Sequence, residues 1–250
     1  MPRGPRIVVP KVALHIVQRG HDRQECFRHD TDYLVYLACV RELLAKAECA
    51  LHAYCLMTNH VHLLLTPSNS SACASLMRNA GQRYVQYFNR RYRRSGTLWE
   101  GRFRSCIVDS ADYVIACYRY IELNPVRAGM TGSPTAYTWS SHAGNSGRVR
   151  NSLLTPHAEY LALGANEASR HNAYRSLFAR VDEPAFLASI REATKGGFAL
   201  IGDQLRSSLP EDLRRRLERR PPGPQPKTKP QVGSTLAELE LEFGLRPQTG

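Results

Sequence analysis

No run of roughly 18 apolar residues occurs anywhere in the 250-residue sequence, so no membrane-spanning helix is expected. The opening segment, MPRGPRIVVPKVALHIVQRG, has no long apolar stretch followed by a small-residue cleavage site, which argues against export. The seven cysteines (Cys26, Cys39, Cys49, Cys55, Cys73, Cys106 and Cys117) are odd in number and include no C-x-x-C pair. Cys55 and Cys106 sit inside apolar runs, so the set reads as small buried thiols in a reducing cytoplasm. That reading sets aside a disulfide framework and a thiolate zinc site. Acid is also short, with 22 Asp+Glu against 34 Lys+Arg and a formal net charge of +12. The excess points to a polyanionic partner, without separating DNA from RNA or an anionic surface. Otherwise the composition, 42% hydrophobic and 22% charged, is that of a globular chain long enough for a packed core.

The charge is unevenly spread. Residues 78–104 hold eight arginines and a single acid, Glu100. A second basic cluster at 206–220 runs into PPGPQPKTKP, too proline-rich for helix or sheet and read as a linker or tail. Residues 234–245 carry a short amphipathic pattern, too brief for a helix stable alone. Before about residue 125 the hydrophobic period switches repeatedly. Residues 12–18 alternate as a strand, and 30–48 follow a helical period with Asp30 or Thr31 as the expected N-cap. Residues 50–57 and 60–66 form two strand-like runs around Thr58-Asn59, a hairpin spacing. A helix over 71–93, a strand over 104–109 and a helix over 112–123 follow, the last closed by Asn124-Pro125. The first six elements give an α+β fold: the ferredoxin-like split βαβ, a four-stranded antiparallel sheet with two helices on one face. Its other face is left for a ligand or another helix. Residues 150–220 read as a mostly helical, weakly patterned appendage, and 221–250 as a proline-rich tail.

Three groups of residues could carry chemistry. In MTNHVHLLL (57–65), strand alternation turns His60 and His62 to one face and Val61, Leu63 and Leu65 to the other. Two imidazoles so spaced could share a cation, or could be half-buried strand histidines with ordinary hydrogen bonds. His15 and His52 have no such neighbour and read as structural. In YRYIELNP (118–125), Tyr120 and Asn124 lie one helical turn apart on one face. They could pair a nucleophile with a ligand, or Tyr120 could be a core residue with its hydroxyl at the edge. The third group interleaves Arg90, Arg91, Arg93, Arg94, Arg102 and Arg104 with aromatics, including Trp99. Guanidiniums on phosphates and rings on unpaired bases would suit single-stranded nucleic acid, whereas a solvated basic face with Trp99 in the core is the alternative.

Five blocks in order, HIVQRG (15–20), LHAYCLMTNHVHLLLTP (51–67), YFNRRYRRSGTLWEGRFRS (87–105), YRYIELNPVRAGM (118–130) and YTWSSH (137–142), give the chain a resemblance to the REP-associated tyrosine transposases. These are single-tyrosine members of the insertion-sequence transposases with a histidine-hydrophobic-histidine motif. The resemblance spans roughly residues 7–145 and implies an enzyme that cuts single-stranded DNA beside hairpins. It also implies a divalent cation, Mg²⁺ or Mn²⁺, and a covalent 5′-phosphotyrosine intermediate. On this chain the metal ligands would be His60, His62 and Asn124, the nucleophile Tyr120, and the DNA contacts the arginines above with Trp99. A catalytic domain over 1–149, an extension over 150–220 and work in the cytoplasm, associated with the nucleoid, complete the expectation. The competing reading is a hairpin or single-strand binding protein that regulates or bridges DNA without cutting it.

Overall fold

The computed structural model describes residues 6–179 and 184–217. The proline-rich segment 221–250 and the helix foreseen at 234–245 lie outside the described residues. The core elements are β1 (Ala13–Arg19), α1 (Asp30–Lys46), β2 (Cys49–Met57), β3 (His60–Pro67), α2 (Ala72–Arg91) and β4 (Arg104–Val108). The four strands pair antiparallel in the order β2-β3-β1-β4, which is the ferredoxin-like arrangement. After β4 come α3 (Ala111–Glu122), the single turn α4 (Asn124–Arg127), α5 (Glu167–Leu177) and α6 (Pro184–Gly196). Two short helices, Asp203–Ser208 and Glu211–Leu217, end the described chain, so its C-terminal part is helical as expected. Among the described residues no helix is long and apolar enough to cross a membrane.

Pleat alternation divides the core in two. Leu14 and Ile16 of β1, Val61, Leu63 and Leu65 of β3, and Ile107 of β4 pack with α1 and α2. Ala13, Leu64, Cys106 and Val108 point the other way, into a second core with Val114, Cys117 and Ile121 of α3 and Ile190 and Ala193 of α6. The second face of the sheet is therefore roofed by helices. Beyond α6 the chain returns to the sheet edge: the Leu200 amide donates to the Ile107 carbonyl, and its carbonyl accepts from Asp109.

Two local expectations change and one is extended. The residue capping α1 is His29, in an extended conformation, and Asp32 accepts hydrogen bonds from the Arg28 and His29 amides. Helix α3 does end before Asn124-Pro125, with Leu123 as its C-cap, but the pair also opens a new turn at α4, where proline lacks only an amide that has no partner in a first turn. In β2 a bulge between Leu51 and Ala53 inserts His52, so Leu51 and Tyr54 share a face despite their odd spacing. His52 is structural, as expected. Its Nδ1–H donates to the Thr155 carbonyl at 2.6 Å, and Nε2 accepts from the Thr66 hydroxyl at 2.8 Å.

The second helical layer is fastened by one carboxylate. Glu122, at the end of α3, is fully buried and accepts four hydrogen bonds. Ser141 Oγ (2.5 Å) and Asn145 Nδ2 (2.8 Å) donate to Oε1, while Tyr174 Oη (2.7 Å) and His142 Nδ1 (3.0 Å) donate to Oε2. The YTWSSH block thus holds α3 in place, and α5 joins through Tyr174. A buried acceptor with every lone pair used is costly to remove, because its donors are stranded. Glu122→Ala should lower unfolding stability by about 3–5 kcal/mol in urea titrations. A change under about 1 kcal/mol, the size of an ordinary hydrogen bond, would mean these donors find water instead.

Candidate active site

The site grows out of the register of three strands. His62 pairs with Val17 of β1, Val17 pairs onward with Arg104 of β4, and His60 pairs with Arg19. These side chains open into a basin of about 540 Å³ that is also lined by Arg23, Arg102, Tyr120, Asn124, Arg191 and Lys195. The expected histidine pair, tyrosine and asparagine are therefore brought together. The His60 and His62 ring centroids are 4.9 Å apart, and the Tyr120 ring lies edge-on to His62 at 5.9 Å.

The hydrogen bonds decide which atoms face the basin with lone pairs. Asn59 donates through Nδ2 to the Arg23 carbonyl, so its Oδ1 accepts the 2.6 Å bond from His60 Nδ1–H. His60 Nε2 is left as the basic nitrogen. His62 Nδ1 bonds to His15 at 2.9 Å, whereas His62 Nε2 is buried with no hydrogen-bond partner. An orphaned buried nitrogen is costly unless something else occupies it. Asn124 Nδ2 donates back to the carbonyls of Tyr120 (3.0 Å) and Ile121 (3.3 Å), leaving Oδ1 as the acceptor atom. Two imidazole nitrogens and one carboxamide oxygen are a donor set that fits a divalent cation. Among the described residues, no cluster of three or more His, Cys, Asp or Glu is placed to hold a metal ion, so a site here would need the Asn124 oxygen beside the two imidazoles.

Tyr120 is only 6% exposed. Burial raises its phenol above the ordinary value, and a hydrogen bond from Arg191 with the charges of Arg127 and Arg191 works against that rise. The Arg127 guanidinium lies 4.7 Å from the ring centroid and donates to the Tyr120 carbonyl. Tyr118, the other tyrosine of the motif, faces away. It is fully buried against Tyr160 and Tyr174, and its hydroxyl accepts from the His157 amide at 3.4 Å.

Two contributions escaped sequence reading. His15 was expected to be structural, yet it stacks on His62 at 5.2 Å and meets Tyr120 edge-on at 5.7 Å. Helix α6, from the weakly patterned C-terminal region, brings Arg191, Thr194 and Lys195 to the basin. No local signal marks either one. The arginine-rich stretch divides in space. Arg102 and Arg104 line the basin. Arg91 lies 3.6 Å from Asp32, and Arg94 donates to the Thr97 carbonyl, so both serve the C-terminal end of α2. Arg90 and Arg93 are exposed. Trp99 is a correction: it is buried beside Tyr36 and Tyr84, and so unavailable for stacking on a base. It bridges to Gly20, where a Cβ would sit 2.3 Å from the Gln24 carbonyl oxygen, which explains the glycine of HIVQRG.

Burial keeps the imidazoles neutral. It lowers His15 to about 3 and His60 to about 4, the latter helped by Arg19, and it holds His62 well below its ordinary value. These depressed values oppose protonation in the folded state but not in the unfolded chain. Their stabilisation is complete above the unfolded pKa near 6.5 and is lost as pH falls through about 4. In ¹H–¹³C spectra of the metal-free protein, His15 and His60 ring signals should stay at their neutral positions from pH 8 to pH 5, within the range set by those depressed values. Titration near the unperturbed value of about 6.5 would show that the basin is wet and open.

Residues 8–124 match the family model described as "Transposase IS200 like". Among solved structures, a REP-associated tyrosine transposase bound to a REP hairpin is 14% identical, with a TM-score of 0.52 over 64% of this chain and 93% of that one. That likeness extends to the fold. A putative transposase from Deinococcus radiodurans R1 is 23% identical, with a TM-score of 0.35 over 49% of this chain and 96% of its own. No curated protein matches the sequence. The matched span, residues 8–124, takes in both strand histidines and Tyr120 and ends on Asn124, so the candidate site lies within the part of the chain that is similar to the IS200-like transposases.

Proposed function

We propose that this protein is an IS200-like transposase, a metal-dependent endonuclease and strand transferase for single-stranded DNA beside REP-type hairpins, acting through a 5′-phosphotyrosine on Tyr120. The observation that carries the reading is the orphaned Nε2 of His62, buried in a basic basin that Tyr120 also lines. His60 Nε2, His62 Nε2 and Asn124 Oδ1 are the atoms assigned to Mg²⁺ or Mn²⁺, and imidazole ligands suit Mn²⁺ better. A cation held there would neutralise the non-bridging oxygens of the scissile phosphate. The hairpin is inferred from the partner of the solved relative, and the basin's positive lining supports a polyanion. Residues 1–149 are assigned as the catalytic domain, with 150–220 an extension that adds α6 to it. On this reading the protein works in the cytoplasm, at the nucleoid.

In the proposed reaction the Tyr120 oxygen attacks phosphorus, the bond from phosphorus to the 3′ oxygen breaks, and the strand leaves with a free 3′ hydroxyl. The phenolic proton goes to solvent, and the departing 3′ oxygen takes a proton back from solvent, so the step balances. Arg191, bonded to Tyr120, favours the phenolate that attacks and later leaves. Arg102, Arg104 and Lys195 are suited to hold flanking phosphates across the mouth of the basin. A phenolate is also a good leaving group, so a second 3′ hydroxyl can reverse the step onto a new strand. Strand transfer needs that reversibility.

The test is a denaturing gel of the full chain with an end-labelled hairpin oligonucleotide and Mn²⁺. Wild type should form a covalent adduct that maps by mass spectrometry to the peptide holding Tyr120, and EDTA should abolish it. Tyr120→Phe should form none, while hairpin affinity changes by less than about twofold, since only an edge hydroxyl is lost. An adduct on Tyr118, or one that persists in EDTA, would overturn the assignment. Tight hairpin binding with no adduct under any metal would favour the non-catalytic reading.

A further inference from the structure

Helix α6 lies beyond the residues that match the family, yet Thr194 is buried and reaches the candidate site through a chain of hydrogen bonds. Thr194 Oγ1 bonds to the Ile190 carbonyl at 2.9 Å and to His15 Nδ1 at 2.9 Å. His15 Nε2 bonds in turn to His62 Nδ1 at 2.9 Å. The positions of the protons follow from counting them. A carbonyl only accepts, so the single Thr194 hydroxyl proton goes to Ile190. Thr194 Oγ1 can then only accept, and His15 Nδ1 must carry a proton. His15 is fully buried, with no carboxylate among its hydrogen-bond partners, so its ring is neutral and Nε2 is a lone pair. His62 Nδ1 must therefore donate, which leaves the His62 lone pair on Nε2, the atom without a partner. Cys106 Sγ, 3.3 Å from Thr194 Oγ1, fits as a second donor to that oxygen.

We propose that Thr194 and His15 are positioning residues that fix the tautomer of His62, so that its Nε2 presents a lone pair to the basin. The inference rests on the reading of His62 as a metal ligand for its purpose, but the relay itself is a property of the metal-free protein. A neutral histidine has two tautomers of similar energy in water, and only one of them leaves Nε2 able to bind a cation. A hydrogen bond on the opposite nitrogen is the usual way to select it. Here the selecting partner is another histidine, which has the same ambiguity, so a third group must break the tie. The Thr194 hydroxyl does so because its own proton is committed to a helix carbonyl. This also gives the C-terminal extension a role at the site that packing alone would not require. Any apolar residue of similar size would fill the space beside Ala193, but none could accept from His15.

The experiment is long-range ¹H–¹⁵N correlation of the histidine rings in the full, metal-free chain at neutral pH, followed by Mn²⁺ titration read by electron paramagnetic resonance. Wild type should show His15 and His62 both protonated on Nδ1. Thr194→Val keeps the shape and removes the acceptor, so both rings should gain the Nε2-protonated form, with Mn²⁺ affinity falling about 10–100-fold. Thr194→Ser, which keeps the hydroxyl, should restore both readouts. Wild-type His62 protonated on Nε2 would overturn the proposal, as would an unchanged ring spectrum in Thr194→Val. If Thr194→Val fails to fold, the wild-type and Thr194→Ser spectra still decide. Tautomers that shift as expected in a protein that never binds Mn²⁺ would retain the relay and reject the metal reading.

Discussion

The two-residue period of β3 is the constraint on which the rest of the molecule turns. A strand cannot bury Val61, Leu63 and Leu65 against α1 and α2 without turning His60 and His62 to the opposite face. A slip of one residue would put two imidazoles in the larger apolar core, so the hydrophobic effect holds the register. The site therefore draws its precision from the stability of the fold. The same pleat carries His15 and Arg104 to that face on β1 and β4, diagonal to or in line with His62.

An open sheet face would leave these histidines in water. The second helical layer changes that, and it is held by polar contacts as much as by apolar ones. Glu122 ties α3 to Ser141, His142, Asn145 and Tyr174 only two residues after Tyr120. The tyrosine thus projects from a helix whose end is fixed, an arrangement that limits its freedom before any substrate binds. Helix α6 closes the other side with Thr194 inward and exposed Arg191 and Lys195 at the rim. Burial sharpens the electrostatics of the basin, because the imidazoles stay neutral and, among the described residues that line it, Glu100 is the single acid beside several arginines and a lysine.

Much of this was legible in the sequence, and what was not has physical causes. The switch between two-residue and helical periods located the first six elements to within about two residues, since each buries one face and so must show its period. The pairing of His60 with His62, and of Tyr120 with Asn124, could be read because both lie within one element. His15 could not be joined to His62 that way: 47 residues separate them, and only strand pairing brings them together. Thr194 lies 179 residues from His15 on a helix with no distinguishing pattern. The bulge at His52 was hidden because one inserted residue leaves the alternation intact on either side. Trp99, set among arginines, looked like a stacking residue, but its closure onto Gly20 and Tyr36 is a tertiary fact.

The central claim is that neutral, oriented imidazoles on one strand face hold a divalent cation beside a buried tyrosine. Anomalous diffraction from Mn²⁺-soaked crystals of the full chain tests it most directly. The account predicts one strong peak in the basin, within bonding distance of His60 Nε2, His62 Nε2 and Asn124 Oδ1. A basin without a peak at saturating Mn²⁺, or an ion bound there without His62, would contradict it.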